Sequence, residues 1–269
     1  MQAVSRALTL RLEQAEGRCW YDDYVEVARL PGNPYGLEVR RMGDAWVYSC
    51  TEFPHSGFAN KVIGSGAGDL GVLAEALAFF EARGVKGSVE IAPGDEDPEV
   101  LQFLRERGLY AKVFCSVLYA TPQPTAPALP AGVSIRRAES DDDIDLVARI
   151  HRDGMGISPR GEQFFRDMAL AAHRLPQFRH YIAEVDSQPA AQAWLHVAEG
   201  VGSLVAGATL PAFRGRGLQT ALIHHRMAEA AAAGCDLVCS QTDPVTISQN
   251  NLERAGFRLA YTKMEFHPL

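Results

Sequence analysis

The stretch Thr209-Leu210-Pro211-Ala212-Phe213-Arg214-Gly215-Arg216-Gly217-Leu218-Gln219-Thr220-Ala221-Leu222 joins an apolar segment to an alanine-rich one, and its reading decides the fold. Residues 202–210 upstream read as a strand, and residues 218–233 downstream read as a helix by alanine content and leucine spacing, stopped by Gly234. Two glycines at such a junction let the backbone curl until successive N–H groups face one point. The helix beginning near Leu218 adds the positive end of its dipole there, and Arg214 and Arg216 add charge. A pyrophosphate suits such a nest, because its oxygens can take backbone donors directly. For an isolated Arg-Gly-x-Gly the plainer alternative is a turn with solvent-facing arginines, so the neighbouring segments must decide.

Upstream of the strand, Val133 to Arg137 reads as a short strand and Ser140-Asp141-Asp142-Asp143 as the N-cap and acidic first turn of a helix through Ile150. A second helix is expected from Gly161 to His173. Tyr181 to Val185, Ala191 to Val197 and Gly202 to Leu210 follow as an antiparallel meander, separated by the turn sequences Asp186-Ser187-Gln188-Pro189 and Glu199-Gly200. After the helix come a buried strand from Cys235 to Ser240, a short helix from Ser248 to Ala255 ended by Gly256, and one or two closing strands from Phe257 to Phe266. The order is β-α-α-β-β-β-α-β-α-β.

Four prolines fall between Ala120 and Pro130, which favours an extended connector, so the expected division is residues 1–120, a linker at 121–130, and residues 131–269. The first part ends as the second does. It has a helix from Leu70 to Arg83 closed by Gly84, a strand from Ser88 to Ile91, a helix from Pro98 to Arg107 closed by Gly108, and a strand from Lys112 to Tyr119. Gly84 and Gly234 are 150 residues apart and Gly108 and Gly256 are 148 apart, which points to a tandem.

With its context, Arg214-Gly215-Arg216-Gly217-Leu218-Gln219 resembles motif A of the GNAT-type N-acetyltransferases, Arg/Gln-x-x-Gly-x-Gly/Ala, with Gln219 where the family has a small residue. The resemblance covers residues 133–266. It implies an α/β (α+β) fold of two tandem GNAT-like domains, each a mixed, mostly antiparallel sheet flanked by helices, and transfer of acetyl from acetyl-CoA to a primary amine. It also implies that Arg214, Gly215, Arg216, Gly217, Leu218, Gln219 and Thr220 cradle the cofactor's phosphates and that Thr209 and Leu210 present backbone groups to its pantetheine arm. Ser248 and Asn251 lie where the family's next helix begins and would reach the cofactor from that side, with helix capping as the alternative.

Transfer needs donors at the developing oxyanion and a proton for the departing thiolate. The tyrosine that the family often uses as acid is replaced here by Leu252, which leaves Tyr261 as the nearest candidate, with ring packing as the plainer role. For a base, strand alternation puts Gln192, Trp194 and His196 on one face, and His196 is the candidate there. Glu184, His224 and His225 are weaker ones.

Two further readings compete. Gly66-Ala67-Gly68-Asp69-Leu70-Gly71 fits G-x-G-x-x-G and suggests a nucleotide-dependent oxidoreductase, although Asp69 would oppose a phosphate and no early βαβ unit precedes it. The absence of the usual tyrosine suggests a CoA-binding sensor or scaffold. In the tandem reading, residues 66–71 sit at the motif A position without the basic nest, so the first domain is expected not to hold cofactor and instead to pack on its partner or complete the acceptor cleft.

Composition sets the outer bounds. Of 269 residues, 47% are apolar and 22% charged, which suffices for packed cores, and the net charge of −7 with scattered basic residues disfavours nucleic acid. No apolar run reaches the ~18–20 residues that span a bilayer, and residues 1–17 lack a signal-peptide core, so no membrane association is expected and a cytoplasmic location is. Five cysteines without a C-x-x-C pair favour buried thiols over a disulfide framework or a zinc site, and no metal is expected. The expected partner is a small-molecule or peptide amine.

Overall fold

The computed structural model describes residues 3–64 and 69–269. The chain divides into two compact units. Residues up to Val117, with Thr242–Pro244 and Ala260–Leu269, form one. Leu118–Gln241 with Val245–Leu259 form the other. The closing segment from Ala260 onward therefore belongs with the N-terminal unit, whereas the sequence places it in the second domain.

The N-terminal unit begins with α1 (Arg6–Ala28), β1 (Leu37–Met42), β2 (Ala45–Cys50), β3 (Lys61–Ile63), α2 (Leu70–Ala82), β4 (Ser88–Ile91), α3 (Pro98–Glu106) and β5 (Leu109–Ala120). Asp69 caps α2 by accepting the Val72 N–H at 3.0 Å, and Asp97 caps α3 through the Glu99 N–H at 2.9 Å. The remaining elements are β6 (Val133–Arg137), α4 (Asp141–Met155), α5 (Pro159–His173), β7 (Phe178–Val185), β8 (Gln188–Ala198), β9 (Val201–Thr209), a 3-10 turn (Pro211–Phe213), α6 (Leu218–Ala232), β10 (Leu237–Thr242), α7 (Ile247–Arg254) and β11 (Arg258–Pro268).

In the N-terminal unit the strand order is β1-β2-β3-β4-β11-β5, so the last strand of the chain lies between β4 and β5. Its register sets Met264 against Ile91, Glu265 against Glu90 and Phe266 against Val89, antiparallel. One face carries the core of Val47, Val62, Val89, Ile91 and Phe266 under Phe79, Phe80 and Leu104.

In the C-terminal unit the order is β10-β9-β8-β7-β6, all antiparallel except β10 with β9. The expected element order is the one observed. Its helices start where the sequence supplies acceptors: Ser140 Oγ takes the Asp143 N–H and Ser158 Oγ the Gly161 N–H, both at 3.2 Å. The two tight turns of the meander have left-handed pairs, Asp186 and Ser187 (φ 49° and 64°) and Glu199 and Gly200 (φ 50° and 76°), as two-residue hairpins require. Alternation then divides the sheet. Tyr181, Ala183, Ala191, Ala193 and Leu195 join Leu222, Ile223 and Met227 of α6 in one core. Gln192, Trp194 and His196 take the opposite face, towards α4 and α5.

Candidate functional site

The site grows from an interruption in the sheet. β9 and β10 pair only from Val201–Leu237 to Ser203–Cys239, and one more link, Ser240 Oγ donating to the Leu204 carbonyl at 2.8 Å, closes the contact. Beyond it β9 runs on to Thr209, hydrogen-bonded to β8 but not to β10, so one edge of its backbone is open. On the β8 side the register slips between Gln192–Ala208 and Trp194–Val205, and Ala206 adopts a left-handed φ of 53°. Such a bulge re-aims backbone groups where a sheet has work to do.

Arg226 of α6 supports this distortion. Arg226 is 4% exposed, and its guanidinium donates to the Trp194 carbonyl at 2.9 Å, the Val205 carbonyl at 3.3 Å and the Leu222 carbonyl at 3.0 Å. Burial pulls its pKa down to about 9, opposed only by the Tyr181 side chain among the described residues. The cation thus holds β8, β9 and α6 together at the bulge.

At the end of β9 the chain turns through Pro211–Phe213 into the basic glycine loop. Gly215 and Gly217 both adopt left-handed φ, 76° and 75°. Gly217 caps α6 with no side-chain hydrogen bond, while its own carbonyl accepts the Ala221 N–H at 2.9 Å. The first-turn N–H groups of a fifteen-residue helix therefore point outward with no side chain over them. Arg214, Gly215, Arg216 and Gly217 are exposed and Gln219 and Thr220 half-buried. Arg214 Nη2 donates to the Gly154 carbonyl at 2.7 Å, which ties the loop to the end of α4. A Cβ at position 154 would lie 3.1 Å from the Ala208 Cβ and 3.2 Å from the Thr209 carbonyl oxygen, tighter than ordinary contact, so glycine eases this close approach of α4 to β9.

Gln219, the departure from motif A, has a partner set of its own. Its Oε1 accepts from Asn251 Nδ2 at 2.6 Å, and its Nε2 donates to Ser248 Oγ at 3.2 Å. The three predicted residues therefore come together, docking the first turn of α6 on α7. The cap of α7 is Thr246, whose hydroxyl accepts the Gln249 N–H at 3.2 Å, so capping does not explain Ser248 or Asn251.

The candidates for proton transfer fare differently. Tyr261 belongs to the N-terminal unit, where its hydroxyl donates to Glu13, and burial together with that carboxylate raises its pKa far above the phenol range. A hydroxyl so placed keeps its proton, and the role of acid expected for Tyr261 is corrected accordingly. It sits in a buried group with Lys263, which pairs with Glu90 and with Glu16 at 2.5 Å, and with Lys61, 3.1 Å from Glu90. His196 is 1% exposed with its ring 4.7 Å from Phe178, so it meets a bound amine only through a relay. Glu184 pairs with Arg136 at 2.9 Å.

His151, unassigned by the sequence reading, is brought to the site by α4. Its Nδ1 lies 3.0 Å from Gln192 Nε2, which also donates to the Ala206 carbonyl at the bulge. Burial lowers His151 to about 4, a bond to the Ala206 backbone opposing the shift. The spacing Ile144, Ala148, His151 along one helix face was the signal that could have found it. In the rival glycine run, residues 66–68 lie outside the described residues. Asp69 places its carboxylate on the first turn of α2, where a phosphate would have to bind. Among the described residues no group of His, Cys, Asp and Glu is arranged to hold a metal, and no helix is long and apolar enough to cross a membrane.

A mixed sheet whose central strands part beside an open helix N-terminus with a basic glycine loop defines an acetyltransferase fold of the GNAT class. Residues 126–243 match the model of the acetyltransferase (GNAT) domain family. The chain's fold is shared by a GCN5-related N-acetyltransferase from Kribbella flavida (TM-score 0.64, 18% identity, covering 92% of this chain and 95% of that one). It is also shared by a tandem GNAT protein from the clavulanic acid biosynthesis pathway (0.60, 15%, 99% and 96%) and a GCN5-related N-acetyltransferase from Sphaerobacter thermophilus (0.63, 14%, 83% and 80%). No curated protein matches the sequence.

Proposed function

We propose that the protein transfers an acetyl group from acetyl-CoA to a primary amine and that its C-terminal unit holds the cofactor. The observation that carries this reading is the uncapped, basic N-terminus of α6 beside the unpaired edge of β9. The N–H groups from Gly215 to Thr220, with Arg214 and Arg216, would hold the pyrophosphate, and the open edge from Val205 to Leu210 would hold the pantetheine arm by strand-like hydrogen bonds. The cofactor supplies an activated thioester. The protein supplies placement, which by itself removes much of the entropic barrier, and donors near the carbonyl where negative charge develops. Ser248 and Asn251 act through Gln219, fixing the helix that carries the nest. His196 remains a base only by way of a water relay.

Calorimetric titration of acetyl-CoA tests the reading. The wild type should bind, and Arg216→Glu, a charge reversal at an exposed residue, should bind at least tenfold more weakly, about 1.4 kcal/mol. Equal affinity of the two would move the cofactor elsewhere. No binding by the wild type would dismiss the proposal. A sensor or scaffold would instead bind acetyl-CoA and release no thiol with any amine.

A further inference from the structure

The face of β7 and β8 that α4 and α5 cover carries a set of side chains whose polar atoms are not used up within the fold. Trp194 lies 4.9 Å from Phe165 and 4.5 Å from His180, ring to ring, and His151 stacks on Phe165 at 3.6 Å with 2° between planes. Trp194, His180 and Gln192 are 3%, 1% and 0% exposed. Trp194 Nε1, both ring nitrogens of His180 and Gln192 Oε1 nevertheless have no hydrogen-bond partner among the described residues. Each such buried group destabilises the fold when left unsatisfied. Several in contact, on one face and beside the bulge at Ala206, are what a polar ligand would repay. His151 and Phe165 are half-buried, so solvent reaches this end of the set, next to Gly154 and the unpaired part of β9.

The chemistry of the set excludes one kind of amine. No carboxylate bonds to any of these five side chains among the described residues. On α4, α5 and β7, Asp143 and Glu184 pair with Arg136, Asp153 and Glu162 with Arg152, and Asp145 with Arg166. Burial lowers His151 to about 4 and, with His173 and Arg137 adding repulsion, His180 to about 3, so the surroundings resist positive charge. An ammonium ion would enter without a counter-charge and without a nearby carboxylate to deprotonate it.

We propose that the acceptor is a neutral aromatic or heteroaromatic amine, its ring against Phe165 and His151 and its polar edge bonded to Trp194 Nε1 and Gln192 Oε1. The inference rests on the acetyl transfer proposed above and names its substrate class. An aromatic amine is uncharged at neutral pH, so its nitrogen lone pair attacks the thioester carbonyl with no prior deprotonation. The N–C bond forms, the C–S bond breaks, the nitrogen loses one proton and the departing thiolate takes one up. The absence of a carboxylate base is then consistent with the substrate.

The test measures thiol release from acetyl-CoA with aniline, 4-aminobenzamide and 5-aminoindole against spermidine and a lysine peptide, with acetyl-CoA calorimetry on the same samples. The expected result is kcat/KM at least tenfold higher for the aromatic amines. Phe165→Leu and Trp194→Phe should raise KM for 5-aminoindole several-fold and leave acetyl-CoA affinity unchanged. Preference for spermidine or the peptide overturns the inference. So does acetyl-CoA binding without turnover of any aromatic amine, or an unchanged KM in both variants. Failure of acetyl-CoA to bind overturns the proposed function instead.

Discussion

Lys263→Met tests the physical reason for placing the last strand in the N-terminal unit. Lys263 is fully buried, and its ammonium donates to Glu90 and to Glu16 at 2.5 Å. Burial alone would lower its pKa, but the three carboxylates of Glu16, Glu90 and Glu13 outweigh it and hold the pKa well above the usual lysine value. Methionine keeps the length and removes the charge. Glu90 retains Lys61 at 3.1 Å, and Glu16 loses its bonded cation. Removing one partner of a buried ion pair costs roughly 3–5 kcal/mol, because the remaining charge is left uncompensated. Glu16, its pKa already raised by burial and by Glu90, would take up a proton, so the loss should shrink as the pH falls. Urea denaturation, followed by hydrogen exchange of amides in β4 and β11, should therefore show about 3–5 kcal/mol lost at neutral pH, with Glu16→Gln in the Lys263→Met background recovering part of it. A loss under about 1 kcal/mol, or exchange changes absent from β4, would refute the reasoning, since a solvated lysine costs little to remove.

Three further outcomes are expected. Burial raises Glu13 from 4.5 to about 7, so the folded state binds a proton that the unfolded state lacks between those values. That stabilisation is full below 4.5 and gone as the pH rises through about 7, and Glu13→Gln should flatten this fall in a pH series of urea midpoints, whereas an unchanged slope would discount it. Gly217→Ala forces a side chain to φ 75° with the nearest atom, Pro130 Cγ, at an ordinary 3.7 Å. It should cost roughly 1–2 kcal/mol by backbone strain alone and weaken acetyl-CoA binding by calorimetry, and wild-type binding would argue that the nest is not used. Arg226→Met takes the donor from the Trp194 and Val205 carbonyls and should lower acetyl-CoA affinity in a protein that still folds; unaltered affinity would show that the bulge does not need it.

The C-terminal unit was legible almost throughout, because its strands alternate and its helices carry punctuation in Ser140 before and Gly234 and Gly256 after; the stop at Gly156 and the cap at Ser158 were not read, so α4 runs past the expected Ile150 to Met155 and α5 starts at Pro159 rather than Gly161. The glycine loop was legible for the same reason, since backbone conformation at Gly215 and Gly217 is written in residue type. α1 was not. Its buried face holds Glu13, Glu16, Asp22 and Asp23, so the pattern that reveals an amphipathic helix is inverted; Glu13 accepts from Tyr261 and Glu16 pairs with Lys263, both of β11, while Asp22 pairs with Arg18 of the same helix. The strand over residues 258–268 was readable as a strand, but alternation says nothing about which sheet it joins, and Tyr261 was misassigned with it. The contributions of His151, Gly154 and Arg226 depend on the slip in register at Ala206, which has no mark in the sequence.

The central claim is that acetyl-CoA lies along β9 with its pyrophosphate on the first turn of α6. Amide chemical-shift mapping during titration with acetyl-CoA tests it most directly. The account predicts that the largest shifts fall on Gly215 to Thr220 and on Val205 to Leu210. Shifts centred on Asp69 to Gly71 in the N-terminal unit, or none at saturating acetyl-CoA, would contradict it.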